Sequence, residues 1–224
     1  MKELLTQSIQ DYLKRIYELN ENGIPASTTQ LAERLKVAPA SVTGMLQKLA
    51  SAKSPLVNYK KHQGVTLTKA GERAALEVIR HHRLLETYLV SILGYPWDEV
   101  HEEACRLEHV ISEDFETRIA SALGNPTRDP HGAPIPNEDL SMPVFRTSRL
   151  SSLIANETAT IKRVPDDNPA LLRYLQEIGI LPEVKVTVLN YSEFDGNLTL
   201  RIEGHAPNVI LGTEITDHIY VETD

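Results

Sequence analysis

Apolar residues recur at helical spacing from the start of the chain. Ile9, Tyr12, Leu13, Ile16 and Tyr17 form one stripe and predict an amphipathic helix over residues 6–20, ended by Gly23 and Pro25. Asp11 lies off that stripe, where periodicity alone reads it as a solvated carboxylate. A short helix follows, with Leu31, Ala32 and Leu35 as its apolar face and Ser27 or Thr28 as its cap. After a turn at Val37-Ala38-Pro39, a second helix opens at Pro39 and runs to about Ser51, burying Val42, Met45, Leu46 and Leu49. Two short helices around a tight turn predict a helix-turn-helix. Residues 56–68 are two β-leaning runs around a polar, Gly-containing turn, which predicts a hairpin and completes a winged-helix layout.

The pattern then turns helical. A long helix is predicted over 69–93 with Thr68 as its cap, then a break at Gly94-Tyr95-Pro96-Trp97. Further helices are predicted over 99–111, capped by Asp98, and over 113–123, capped by Ser112. Their apolar positions exceed what three helices need for one another, and the surplus predicts a subunit interface. Residues 124–149 hold five of the 13 prolines and read as an extended linker. From Leu150 the chain turns β-rich, with strands predicted over 157–164, 184–192, 198–204 and 215–222 and a helix over 169–178. Asp195-Gly196-Asn197 supplies hairpin chemistry, and the module predicts a small barrel. The fold class is α+β. The boundaries read as a winged helix over 1–73, a helical dimerisation and metal-binding domain over 74–142, a linker over 143–149 and a β-module over 150–224.

Charge changes the picture at one end. The net charge of −8 argues against a nucleic-acid binder, but residues 1–73 hold 11 Lys and Arg against 6 Asp and Glu, a net +5, and the remainder carries −13. The wing tip offers Lys60, Lys61, His62 and Gln63 to phosphates, and the helices offer Thr28, Ser41, Thr43, Gln47 and Lys48. Gly44 stands where a polar side chain would be natural, either tolerated or permitting close approach to DNA. No run of about 18 apolar residues predicts a membrane span. A single cysteine excludes an intrachain disulfide, and the simplest reading is a cytoplasmic protein.

Candidate chemistry concentrates between residues 82 and 109. His82 and Glu86 lie one turn apart on the long helix. His101, Cys105, Glu108 and His109, at offsets of four, seven and eight on the next helix, fall within an arc of roughly 100°. Imidazoles, a thiol and carboxylates converging from adjacent helices predict a metal site. The turn Asp129-Pro130-His131-Gly132 and the acidic turn Asp166-Asp167-Asn168 add candidates.

These motifs resemble the metal-dependent repressors typified by the diphtheria toxin repressor, the iron-dependent regulators and the manganese transport regulators. The resemblance is carried by Met1-Lys2-Glu3-Leu4, by Asp11-Tyr12-Leu13-Lys14-Arg15-Ile16-Tyr17-Glu18-Leu19, by His82-Arg83-Leu84-Leu85-Glu86, by the run from Val100 to Val110, and by Pro130-His131-Gly132 with Ile135-Pro136. The C-terminal module looks like the SH3-like domain of the longer members, related to the small ferrous-transport accessory proteins. The resemblance implies a metal-activated transcriptional repressor, not an enzyme, that binds palindromic operator DNA as a dimer. It implies two metal sites per subunit. One would use Asp11, Cys105, Glu108 and His109. The other would use His82, Glu86 and His101, completed from His131, Asp129, Asp166 or Asp167. Iron-responsive members usually carry Met at the position of Asp11, and manganese-responsive ones Glu at that of Cys105. The mixture leans to Mn²⁺ over Fe²⁺ through Asp11 and the Pro130-His131-Gly132 turn. The rival readings are a winged-helix regulator with purely structural metal, a metal-delivery adaptor built on the barrel, and a metallohydrolase using Glu102 or Glu103 as base.

Overall fold

The computed structural model describes residues 5–21 and 23–223, so the opening Met1-Lys2-Glu3-Leu4 lies outside the described residues. The chain divides into two compact units. One comprises the chain up to His82 with Glu108–Ile111 and Pro136–Met142; the other comprises Arg83–Leu107, Ser112–Ile135 and the chain from Pro143.

The first unit is built on α1 (Gln7–Leu19), α2 (Thr28–Leu35) and α3 (Pro39–Ser51). A capping box fixes the start of α2: the Ser27 hydroxyl accepts from Gln30 N–H, and the Gln30 side chain accepts from Ser27 N–H. Lys36 turns left-handed at φ 55° and ends α2, and Pro39 opens α3. Strands β1 (Val57–Lys60) and β2 (Gly64–Leu67) pair antiparallel as the wing. Ala26 and Val65 exchange both backbone hydrogen bonds, tying the wing to the segment that enters α2. Leu13, Ile16, Leu31, Val42, Leu46 and Val65 are fully buried in one core, so the predicted stripes of all three helices and the hairpin meet there.

Helix α4 (Lys69–Ser91) gives its residues up to His82 to this unit and the rest to the second. As predicted, its start is capped by Thr68, whose hydroxyl accepts from Gly71 N–H.

The second unit continues with α5 (Val100–Leu107) and α6 (Glu113–Ala122), the latter capped by Ser112 as predicted. It then forms β3 (Ser148–Arg149), β4 (Thr158–Arg163), α7 (Pro169–Glu177), β5 (Lys185–Tyr191), β6 (Leu198–Ile202), β7 (Val209–Leu211), α8 (Thr213–Thr216) and β8 (Tyr220–Thr223). The six strands make one antiparallel sheet in the order β3-β8-β4-β5-β6-β7. Its inner face packs Ile161, Val186, Val188, Leu200 and Val221 against Leu172 and Leu175 of α7, and Trp97 packs onto the same core.

The α+β class stands, with four corrections. The helix predicted over 99–111 ends at Leu107, because Glu108 is engaged elsewhere: its carbonyl accepts from His81 Nδ1 at 3.0 Å and its carboxylate is taken by Lys14 and His82. Asp98 does not cap through its side chain but pairs with Arg173 at 2.8 Å. Residues 124–135 are no loose linker, since Asp129, His131, Ala133 and Ile135 are buried. The last predicted strand forms only in its C-terminal part: α8 takes Ile215 and Thr216 and β8 begins only at Tyr220, while β3 and the three-residue β7 carried too short a pattern to predict.

Candidate metal centres

Within each unit, one group of metal-ligating side chains comes together among the described residues. In the first unit Asp11 on α1 meets Glu108 and His109, which follow α5, and their ligand atoms lie within 4.8 Å of one another. His109 Nε2 stands 3.0 Å from Asp11 Oδ1 and 3.4 Å from Glu108 Oε1. His109 Nδ1 donates to Gln10 Oε1 at 2.8 Å, which fixes the ring and leaves Nε2 turned to the carboxylates, the arrangement a ligating imidazole needs. Glu108 Oε2 accepts from Lys14 Nζ at 2.7 Å and from His82 Nδ1 at 2.5 Å. Burial pushes the Glu108 carboxyl up, but the hydrogen bond and charge of His82 and those of Lys14 outweigh it and hold the group at about 2. Burial also raises Asp11 above its ordinary value, against the pull of His109.

In the second unit Glu86 on α4 meets Asp129 and His131 from the loop after α6 and Asp166 from the loop after β4, again with ligand atoms within 4.8 Å of one another. Glu86 and His131 have no solvent exposure and Asp129 has 6%. The local chain explains the geometry. Asp129 Oδ1 accepts the N–H groups of His131 and Ala133, each at 2.9 Å, which closes a tight turn. At Gly132 φ is +88°, and a Cβ there would lie 1.8 Å from the carbonyl oxygen of Lys162, so only glycine lets the turn sit on the end of β4. His131 O then accepts from Val164 N–H at 2.9 Å, two residues before Asp166. His131 Nε2 donates to the Trp97 carbonyl at 2.8 Å, and the two rings stack at 5.5 Å. That leaves Nδ1 facing Glu86 Oε2 at 3.7 Å.

The electrostatics of this second group call for a cation. Asp129 Oδ2 and His131 Nδ1 are buried and make no hydrogen bond among the described residues. Burial, with the charge of Glu86, lifts Asp129 to about 6 against Arg83, whose Nε lies 3.7 Å away. Burial pulls His131 down, yet Glu86, Asp129 and Asp166 together carry it to about 9. Burial and Glu86 push Asp166 up, but His131, His101 and Arg163 hold it below its ordinary value. Three carboxylates and one imidazole are a hard, oxygen-rich donor set that suits a divalent ion such as Mn²⁺ or Fe²⁺.

The grouping differs from the one expected. His82 bonds to Glu108 in the first unit, while Glu86 carries the second group. His101 Nδ1 stands 3.2 Å from Glu86 Oε1, and Cys105 Sγ stands 3.7 Å from His101 Nε2. Because α5 stops at Leu107, the four ligand types expected on one helical face do not form one face. Asp167 is exposed and lies outside the group that holds Asp166. Gln10, Lys14 and Trp97 were missed. Gln and Trp are not ligand types, and the one available signal was Lys14 standing one helical step, three residues, from Asp11.

The DNA-facing candidates form a polar surface on the first unit. Ser41, Gln47 and Lys48 of α3 are exposed, as are Lys60, Lys61 and Gln63 of the wing; Thr28 and Thr43 are half-buried. A Cβ at Gly44 would meet nothing within 4 Å, so internal packing does not require glycine there.

Comparison with known proteins accounts for the length of the chain. Residues 4–65 match the iron dependent repressor N-terminal DNA binding domain, residues 68–137 the iron dependent repressor metal binding and dimerisation domain, and residues 148–223 the FeoA domain. The iron-dependent repressor IdeR of Mycobacterium leprae is 34% identical over 231 residues, covering 97% of this chain and 98% of that protein. A manganese-dependent transcriptional repressor in complex with manganese superposes with a TM-score of 0.87 at 41% identity, covering 96% of this chain and all of that one. IdeR of T. acidophilum superposes with a TM-score of 0.81 at 29% identity, over 96% and 97%. The chain therefore belongs to the family of iron- and manganese-dependent transcriptional repressors, in the long form that ends in a FeoA, SH3-like domain.

Proposed function

We propose that this repressor is activated by Mn²⁺, with Fe²⁺ as the competing activator, that each subunit takes one ion at Asp11, Glu108 and His109 and another at Glu86, Asp129, His131 and Asp166, and that it acts on a palindromic operator as a cytoplasmic homodimer. The working division is a winged helix over 1–73, a metal-binding and dimerisation segment over 74–142, a linker over 143–149 and a barrel over 150–224.

The observation that carries the reading is the convergence of α1 with Glu108 and His109, whose contacts span 94 and 99 residues of chain. Asp11 and Gln10 belong to the helix whose Leu13 and Ile16 share a core with Leu31 of α2 and Val42 and Leu46 of α3. An ion bound there ties the reading head to Glu108 and His109 and narrows the positions open to α3. Higher metal affinity for the tied state supplies the coupling to DNA, typically about 1–3 kcal/mol. Two-fold symmetry then sets the spacing of paired recognition helices. The carboxylates that dominate both proposed donor sets are hard oxygen ligands, which supports Mn²⁺. Glu102 and Glu103, the bases an enzyme reading would need, pair with Arg106 along α5, and no described helix is long and apolar enough to cross a membrane. The Arg106 pairing supports a non-enzymatic regulator.

Operator binding followed by fluorescence anisotropy in chelator, in Mn²⁺ and in anaerobic Fe²⁺, at fixed salt, tests the reading. Tight binding appears only with metal, at a lower threshold for Mn²⁺, and Asp11→Ala loses the metal response. Equal binding in chelator would leave the metals structural.

A further inference from the structure

Among the described residues, Lys14 is the buried lysine, at 4% exposure, and the metal reading gives it no task. It sits on α1, three residues from Asp11, with Nζ 2.7 Å from Oε2 of Glu108, a carboxylate itself only 2% exposed. We infer that Lys14 is a built-in counter-cation that competes with the metal at the Asp11, Glu108 and His109 cluster, so that it sets the metal concentration at which the repressor responds and limits this cluster to a single ion. The inference rests on the metal reading of that cluster.

The sign follows from geometry. Glu108 can reach an ion in two ways. Through Oε1, which faces His109 Nε2 at 3.4 Å, the ion would stand one carboxylate's width from an ammonium still bonded to Oε2. Through Oε2, the ion would have to displace Lys14 from a buried position. The first route sets like charges close together in a partly desolvated place, and the second breaks a buried ion pair. Both weaken the metal. A purely orienting role for Lys14 would strengthen it, but Glu108 is already held on the same oxygen by His82 at 2.5 Å and needs no second anchor. The same ammonium occupies the place on Glu108 that a second close cation would need. Without metal, Lys14 also keeps α1 fastened to Glu108, so the metal-free protein is satisfied here rather than strained.

The experiment compares wild type, Lys14→Met, Lys14→Gln, Lys14→Arg and Asp11→Ala as full-length protein. Bound Mn²⁺ is counted from the electron paramagnetic resonance signal of the free ion, and metal-free and Mn²⁺-loaded proteins are melted in parallel. Trp97, the sole tryptophan, stacks on His131 and marks filling of the other group separately. Asp11→Ala should abolish one binding step and leave the step seen by Trp97. If it abolishes neither, the metal reading of this cluster falls and the inference with it. Given that loss, Lys14→Met and Lys14→Gln should tighten the Asp11-dependent step by at least about tenfold, while Lys14→Arg, which keeps the charge, stays near wild type. The metal-free Lys14→Met protein should melt several degrees lower and recover with Mn²⁺. An Asp11-dependent step that is unmoved or weakened in both neutral variants overturns the inference and leaves the metal reading standing.

Discussion

The two clusters solve one problem in different ways. Each gathers carboxylates that would repel one another without a cation. The first carries a fixed positive charge: Lys14 pairs with Glu108, whose carboxyl is held at about 2. The second has no lysine. In the metal-free protein its carboxylates are offset by the Arg83 guanidinium at the edge and by protons, one that charges His131 at about 9 and one that neutralises Asp129 at about 6. A metal entering the first cluster must contend with an ammonium that does not leave; one entering the second displaces protons, which do. The contrast makes the first cluster a threshold set by the sequence and the second a site set also by pH.

The strongest way to break this contrast is to remove the second cluster while sparing the first. In Gly132→Ala the new Cβ would meet the Lys162 carbonyl oxygen in a backbone conformation at φ +88°. The turn that presents Asp129 and His131 must move, at a cost of about 3 kcal/mol or more. Chemical denaturation of the metal-free protein should show that loss, and Mn²⁺ counting should show one fewer bound ion, with the Asp11-dependent step intact. Loss of both steps together would mean that the clusters do not bind independently.

A change of pH sharpens the contrast without a mutation. Because His131 and Asp129 must lose protons to bind metal, Mn²⁺ affinity at the second cluster should rise with pH, by up to about tenfold per unit between pH 6 and 8. The first cluster should change less, since Glu108 is ionised throughout that range. Metal-free stability moves the other way. The folded values of both groups lie above their unfolded ones, so the stability they give is complete at low pH. It is lost for Asp129 as pH rises to about 6 and for His131 as pH rises from 6.5 to about 9. Metal-free melting temperatures should therefore fall from pH 6 to 9, and those of the His131→Gln protein should fall less. A Trp97-reported affinity that stays flat with pH would remove the proton as the counter-charge.

Much of this contrast was hidden in the sequence. The winged helix was legible, because helical and alternating periods, a proline at a helix start and a polar turn are local signals, and the stripes they predict are the ones that meet in the core. The ligand residue types were legible as well. Their grouping was not, because it depends on where α5 stops. Nothing local in Arg106-Leu107-Glu108-His109 ends a helix; the end is set by pairings with His81, His82 and Lys14 that are distant in the chain. Asp129 and His131 hid in a proline-rich stretch whose composition reads as linker, and Gly132 revealed its role only once Lys162 was seen above it. At Ile215 the alternation of apolar residues fits a strand, but Gly212 O accepts from both Ile215 N–H and Thr216 N–H and winds the segment into α8.

The smallest expected effect probes the first cluster through a residue that touches no metal. Gln10 accepts from His109 Nδ1 and so selects the tautomer whose Nε2 faces Asp11 and Glu108. In Gln10→Ala the ring keeps its place between the carboxylates but loses the partner that fixes which nitrogen carries the proton. Second partners of ligating imidazoles are worth about tenfold or more in affinity. The Asp11-dependent Mn²⁺ step should therefore weaken by about tenfold while the Trp97 step is unchanged. The direction is opposite to that expected for Lys14→Met, although both residues lie on one helix within a turn of Asp11. Opposite signs from these two neighbours would separate a group that prepares a ligand from one that competes for it. The same sign from both would mean that substitutions on α1 act by loosening the helix, and that the fixed charge of Lys14 is not what distinguishes this cluster from the other.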